Sequence, residues 1–495
     1  MKRWLAVGVG LVCAGGLRAA EPADLKAEAA ATLARATTYM QSISARGGYL
    51  WSYSLDLQKR AGESIAPAEL IWVQNPGTAA MGMSFLRSYA ATKDVRYLHA
   101  ARDVAEALAV GQLASGGWHY SVDMVNPENN RDGLLDYKGK NFAKAKPGKH
   151  INPHYTIMST YDDDNTQSAV RFLLACVAAT KGSETPRDRA IRAMLDRALE
   201  GMLRAQYRNG AWPQRFDGKP RDPAAHAPKK ASIPKEYPRT WSEAFDYTGN
   251  YTLNDDTQYD FIRTLLEAGK QLGDPRYVAA AKRGGEWLVR AQLPEPQAAW
   301  AQQYNEAMEP SWARAFEPPA IASNESGSAL RALVLLYRET GDRSYLKPIA
   351  AAVAWIERSA LAAGRWARMY ELGTNRPIYG DVDGNLHYTL AELTPERRNG
   401  YGWEGEFHLP AVLAECRAAL AEQGKPVVRE GKRPAPLAKR EAAAREAIAA
   451  LDAEGRWIKS GRITKRAPEE PLVTTSEYMR RAGALSDYLE SVGGK

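Results

Sequence analysis

Cysteine is almost missing from this 495-residue chain: there are three, Cys13, Cys176 and Cys416. That excludes a disulfide scaffold. Together with only seven histidines it also leaves no ligand spacing of the zinc type. No Gly-rich phosphate loop and no Gly-x-Ser-x-Gly elbow occurs, which argues against the common nucleotide-binding and serine-hydrolase designs. Runs with strand-like alternation are nearly absent. The one long apolar run, Trp4 to Leu17, is too short to span a bilayer. It follows Lys2 and Arg3 and precedes Ala19 and Ala20, so residues 1–20 read as a secretory signal. A lipid anchor at Cys13 is disfavoured, because Leu11 and Val12 are bulkier than such a site accepts. The expected product is secreted or periplasmic, free of the membrane once the signal is removed, and monomeric.

What is present is ordinary in amount and unusual in arrangement. Hydrophobic residues make up 45% and charged residues 25%, as in a soluble globular protein. The net charge of +8 suits an anionic partner such as nucleic acid, a membrane surface or an acidic polysaccharide. One phrase recurs: Lys93-Asp94-Val95-Arg96-Tyr97, Gly273-Asp274-Pro275-Arg276-Tyr277 and Gly341-Asp342-Arg343-Ser344-Tyr345. Each is followed by an Ala-rich amphipathic segment and then by a tryptophan, Trp118, Trp300 or Trp366, at Tyr-to-Trp spacings of 21, 23 and 21 residues. A looser copy runs from Thr185 to Trp212. A helix with apolar residues at i, i+3 and i+4 precedes each phrase. The repeating unit is therefore two antiparallel helices and a longer Trp-bearing return. Such units stack into a solenoid or close into an α/α toroid, with all returns on one rim.

The starts of the first helices carry polar clusters: Asn75-Pro76-Gly77-Thr78, Asp162-Asp163-Asp164-Asn165-Thr166, Asn254-Asp255-Asp256-Thr257 and Asn324-Glu325-Ser326. An N-cap needs one such side chain, and the second and third clusters hold three and two aspartates. Excess carboxylate at one point repels itself unless a cation neutralises it, so these turns are either caps or a site. The shared rim brings them together. It also gathers aromatic and polar residues, among them Trp212, Arg215 and Tyr304, which either plug their hairpins or line a groove where rings stack on sugars. Two long basic returns belong to the acidic repeats. Residues 123–160 carry Lys138, Lys140, Lys144, Lys146 and Lys149; residues 217–241 carry Lys219, Arg221, Lys229, Lys230, Lys235 and Arg239. They read equally as solvated loops or as the walls of a polyanion groove. Arg314, stiffened by Pro318-Pro319, and Arg397-Arg398 supply forked donors that serve either in structural ion pairs or, beside the carboxylate clusters, in gripping substrate carboxylates. Residues 21–426 are expected to form the toroid, and 427–495 a helical segment packed on it.

From about Gly47 onward the chain resembles the all-helical pectate lyases, polysaccharide lyase family ten. The resemblance is carried by Gln74-Asn75-Pro76-Gly77-Thr78, Ser115-Gly116-Gly117-Trp118, the Asp162 cluster, Trp212-Pro213-Gln214-Arg215, Asn254-Asp255-Asp256, Trp300-Ala301-Gln302-Gln303-Tyr304, Trp312-Ala313-Arg314-Ala315-Phe316-Glu317-Pro318 and Glu396-Arg397-Arg398-Asn399-Gly400-Tyr401. It implies an α/α toroid that cleaves polygalacturonate by calcium-assisted anti-β-elimination. Asp162, Asp163, Asp164, Asp255 and Asp256 would hold Ca2+, Arg314 would be the base, and Arg397 or Arg398 would bind substrate carboxylates. An arginine base implies an alkaline optimum, since a guanidinium is otherwise always protonated. The chain departs from the family at Val382, where a further substrate-binding arginine is expected. Two other readings fit the residues: a metal-free toroid hydrolase using two aspartates, and a polyuronate-binding protein without turnover. Nucleic acid is disfavoured by the carboxylates on the same rim.

Overall fold

In the computed structural model the described residues are 22–125, 158–222, 224–242, 247–422, 434–465 and 467–493. The expected signal at residues 1–20, the lysine-bearing part of the first basic return and the start of the expected connector near residue 427 lie outside them. Thirteen α-helices occur among the described residues: α1 (Pro22–Ser42), α2 (Thr78–Thr92), α3 (Val95–Val110), α4 (Asn165–Ala179), α5 (Pro186–Ala205), α6 (Thr257–Leu272), α7 (Pro275–Ala291), α8 (Ser323–Thr340), α9 (Ile349–Arg358), α10 (Pro395–Gly400), α11 (Leu409–Ala421), α12 (Leu437–Ala449) and α13 (Thr475–Gly493).

The recurring phrase is the turn between two helices. Its first residue, Lys93, Gly273 or Gly341, takes a left-handed conformation that closes the preceding helix, at φ 59°, 73° and 74°. The aspartate that follows caps the next helical segment: Asp94, Asp274 and Asp342 accept from the backbone N–H of Arg96, Arg276 and Ser344. The tryptophan answers at the other end. Trp118, Trp212, Trp300, Trp366 and Trp457 donate from Nε1 to the carbonyls of Leu108, Met202, Leu288, Ile356 and Ala447, at 2.7 to 3.0 Å. Each adds a donor to a carbonyl in the last turn of its helix, where intrahelical partners run out.

The hairpins α2–α3, α4–α5 and α6–α7 pack side by side, and α8 pairs with the turn Arg343–Leu346 and α9. Their first helices form an inner series in which α13, α2, α4, α6, α8 and α11 each pack on the next. The middle of the series, α4, α6 and α8, is the most buried; α8 buries 12 of its 18 residues. The architecture is an all-α, α/α toroid, an incomplete barrel of repeated helix pairs. The C-terminal segment does more than pack on it, since α13 sits between α1 and α2 within the series. Strands escape sequence reading because they are two to six residues long. They stitch returns together at the rim: 159–160 with 215–216, 251–252 with 303–304, and 52–54 with 472–474.

The basic return at 217–241 is docked. Ala231 and Ser232 donate to the carbonyls of Arg290 and Met308, and Trp241 donates through its backbone to Gly384. Two indoles clasp its end to the Arg314 turn: Trp312 donates to Pro238 O, and Trp241 donates to Ala313 O, both at 2.7 Å.

Candidate active site

The two acidic turns do not cap. In each, two successive aspartates are left-handed: Asp163 and Asp164 at φ 53° and 57°, Asp255 and Asp256 at φ 46° and 62°. Asp is among the few residues that tolerate this conformation. Neither Asp164 nor Asp256 makes a side-chain capping bond to the helix it precedes. The double left-handed step instead turns the first carboxylates toward each other. Ligand atoms of Asp162, Asp163 and Asp255 all lie within 4.8 Å of one another. The same backbone step recurs before α11 at Phe407 and His408, φ 46° and 56°, with no carboxylate on it.

Asp162 is the fixed member. Its Oδ2 accepts from Tyr120 Oη at 3.0 Å and Gln214 Nε2 at 2.7 Å, and its Oδ1 from Asn254 Nδ2 at 2.9 Å. Asn254 Nδ2 also donates to Asp255 at 2.6 Å. Among the described residues no side-chain cation is bonded to the trio. Burial, then the charges of Asp162 and Glu63, push the Asp163 carboxyl up to about 8 against the opposing pull of Arg314. Burial, then Asp162, Asp163 and Glu325, hold Asp255 well above the ordinary range, with Arg368 opposing. Three convergent carboxylates, with the unpartnered Asn254 Oδ1 beside them, form an oxygen-only donor set. That set fits a hard divalent cation such as calcium.

Asp164 and Asp256, expected as further ligands, are engaged elsewhere. Asp164 Oδ2 is ion-paired with Arg171 and accepts from Asn75 at 3.3 Å, with Arg263 at 3.6 Å. Asp256 pairs with Arg331 at 2.9 Å. Both latch the rim to the inner helices.

Two arginines act on this trio by their charge, Arg314 on Asp163 and Arg368 on Asp255. Arg314 stands in a tight turn in which Glu317 N donates to Arg314 O at 2.8 Å and Ala313 N to Glu317 O at 3.1 Å. Its side chain is 45% exposed, and its guanidinium forks onto the buried Glu317, Nε to Oε2 at 2.7 Å and Nη2 to Oε1. Tyr401 Oη donates to the same Oε1 at 3.0 Å. The Phe316 ring lies 4.7 Å from the Arg314 guanidinium and 3.5 Å from that of Arg397, so one aromatic plate carries two cations. Burial, and next the charge of Arg314, lower the Arg397 pKa. Arg368, not singled out from sequence, lies 4.5 Å over the Tyr401 ring and 3.9 Å from the fully buried Glu325, and its charge acts on Asp255. The repeat points to Glu325, since Asn324-Glu325 opens α8 where the aspartates open α4 and α6.

The other expected residues divide. Arg398 spends Nη2 on the carbonyls of Ala391 and Leu393, holding its own turn. Trp212 and Tyr304 are fully buried and offer no face to a sugar; Trp212 stacks on Phe261 and Tyr304 Oη donates to Ala291 O at 2.7 Å. They are plugs, as the repeat of the indole bond requires. Arg215 donates to Thr160 Oγ1 at 2.6 Å and lies 5.5 Å over Tyr120, beside the Asp162 network.

No curated protein matches the chain. Among solved structures it is similar to a family 10 polysaccharide lyase from Cellvibrio cellulosa at 21% identity, covering 70% of this chain and 96% of that one, with a TM-score of 0.47. A mutant of that lyase in complex with a trigalacturonic acid gives 20% identity, 69% and 98% coverage, and a TM-score of 0.46. A cellobiose 2-epimerase from Bacillus thermoamylovorans gives 11% identity, 92% and 96% coverage, and a TM-score of 0.44. A family model described as pectic acid lyase matches residues 128–365 and 360–410. That match spans more than half of the sequence, and the chain belongs to the pectic acid lyase family.

Proposed function

We propose that this pectate lyase cleaves polygalacturonate by anti-β-elimination with calcium held by Asp162, Asp163 and Asp255, releasing 4,5-unsaturated oligogalacturonides. The observation that carries the reading is the carboxylate trio, to which no side-chain cation is bonded among the described residues and on which Arg314 and Arg368 act by charge. Calcium bound there supplies positive charge to a substrate C6 carboxylate and so acidifies the C5 proton. Arg397 and Arg368, held by Phe316 and Tyr401, take the carboxylates of the sugar rings. Arg314 takes the C5 proton; the electron pair forms the C4–C5 double bond as the C4–O4 bond breaks on the opposite face. The leader at residues 1–20 supports a secreted or periplasmic enzyme, and we expect a monomer.

The test follows the ultraviolet absorbance of the unsaturated uronide, using the mature protein on polygalacturonate at alkaline pH with calcium or with chelator. A calcium-dependent rise that is lost in Arg314→Ala supports the reading. Reducing ends without that absorbance would replace it by a hydrolase. Polymer binding with neither signal would leave a binding protein.

A further inference from the structure

The proposed base has a difficulty that the geometry itself addresses. A guanidinium must lose a proton before it can accept one, and in water it does so only above about pH 12. Arg314 is, moreover, paired with a carboxylate that favours its cation. The surplus proton therefore needs a nearby acceptor. Among the described residues the one carboxylate bonded to Arg314 is Glu317, engaged through both Nε and Nη2. Glu317 is only 2% exposed, and the turn fixes both partners through the backbone bonds between residues 313, 314 and 317. Pro318 and Pro319 follow it directly. The third donor on this carboxylate besides the two guanidinium nitrogens is Tyr401 Oη, and the Arg314 backbone N–H is a fourth at 3.3 Å. The Arg314 side chain, although paired with a buried carboxylate, stays 45% exposed, and its charge acts on Asp163 of the trio.

We infer that Glu317 is the proton store behind Arg314, and this rests on the lyase reading above. The Nη2–H bond of Arg314 breaks as an Oε1–H bond forms on Glu317, leaving a neutral guanidine toward the substrate and a neutral carboxylic acid beneath it. The C5–H bond then breaks, an N–H bond re-forms on Arg314, and the electron pair enters the C4–C5 double bond while C4–O4 breaks. Water gives a proton to the departing O4 on the far face, and the hydroxide left takes the proton from Glu317. The cycle closes with every proton accounted for and needs no other reactant. The neutral pair separates no charge in a buried place, whereas giving the proton to bulk water would leave the Glu317 carboxylate buried and without its counterion. Glu317 does not touch the sugar; it is a positioning residue that acts through Arg314.

The experiment compares kcat, KM and the pH profile of the wild type, Glu317→Gln, Glu317→Asp and Tyr401→Phe on polygalacturonate with calcium. Gln keeps an acceptor oxygen for Arg314 but takes no proton. We expect it to lower kcat about a hundredfold or more, the scale of a lost acid–base partner, with KM within about threefold. Its residual rate should climb with pH throughout the alkaline range, because Arg314 must then shed its proton to water. Glu317→Asp should keep the shape of the wild-type profile and recover much of the loss. Tyr401→Phe keeps the ring over the arginines and removes one donor to Glu317, so its alkaline limb should move to lower pH. That variant keeps the question decidable if Glu317→Gln fails to fold. Glu317→Gln with unchanged kcat, or with reduced kcat and an unaltered profile, overturns the inference, as does an unmoved limb in Tyr401→Phe. A wild type that yields no unsaturated product removes the lyase reading, and the inference with it. An active wild type with either overturning result removes the inference alone.

Discussion

Two groups of buried carboxylates behave in opposite ways. On the outer layer, Asp188 accepts from Arg102 Nε and Nη2 at 2.9 and 2.7 Å and from Thr185 Oγ1 at 2.6 Å; burial alone would push it up, but these bonds hold it down at about 2. Glu477 sits between Arg480 and Arg481, and the Arg480 bond leads in holding it at about 2. On the rim, Asp163 and Asp255 are driven upward by burial and by one another. The same side chain thus serves as scaffold where the chain supplies its cation and as site where it does not. What separates the groups is the supply of partners, since members of both are buried.

The comparison breaks most visibly at Asp163 and Asp255. Asp163→Asn or Asp255→Asn should weaken calcium binding by at least about a hundredfold, since even groups one shell further from a metal cost roughly ten- to a hundredfold. Isothermal titration with calcium alone reads this without turnover. In chelator these variants should be as stable as the wild type or more so, because each replaces a carboxyl that must either carry charge in a repelling cluster or take up a proton to fold there. Asp188→Asn should do the reverse. It leaves the nearly buried Arg102 without its charge partner, a change that costs about 3–5 kcal/mol when a buried pair is broken. Calcium affinity of the folded protein should be unchanged, and a urea midpoint measures the loss.

A smaller effect comes from pH. The folded pKa of Asp163 is raised to about 8, and that of Asp260 to about 7, by burial first and next by Asp162 and Asp164 respectively. A raised carboxyl binds its proton more tightly when folded, so its stabilisation is full below the unfolded value near 4 and is lost as pH rises toward 7 to 8. For Asp188 and Glu477 the sign is opposite: their contribution is present above about 4 and disappears as pH falls toward 2. In chelator the melting temperature should fall on both sides of a maximum near pH 5. Calcium should restore the part of the alkaline side that Asp163 contributes and leave the acid side unmoved. A chelated protein with a flat alkaline side would show that the rim carboxylates carry no mutual strain.

Much of the repeat was legible because local chemistry writes it. The Lys-Asp and Gly-Asp phrases are a left-handed helix end and an N-cap, both decided within a few residues. The tryptophans were visible as a period, but their role was not. Trp212 and Tyr304 bond carbonyls 10 and 13 residues back, and sequence alone does not tell such a plug from a sugar platform. The acidic turns were visible as excess charge, whereas the choice between cap and site depended on four left-handed φ angles. Arg398 and Arg397 are adjacent, yet one faces backbone carbonyls and the other an aromatic plate. Glu317 and Arg368 matter through partners 84 and 33 residues away, Tyr401 in both cases, which only the closed ring brings close. The place of α13 between α1 and α2 is likewise a contact across almost the whole chain.

The sharpest form of the comparison uses neighbours. Asp163 and Asp164 are consecutive, share the left-handed backbone and open the same helix, but only Asp164 has a cation from the chain, Arg171, with Arg263 close by. Asp164→Asn should therefore change calcium affinity by less than about threefold and cost about 1 kcal/mol, the worth of a partly exposed charged bond. Because Asn retains an acceptor oxygen for Arg171 and tolerates the same φ, the turn should survive. If Asp164→Asn instead weakens calcium as much as Asp163→Asn does, the Arg171 pair yields to the cation when it binds. The boundary between scaffold and site would then be drawn by the ligand, and no longer by the partners that the chain supplies.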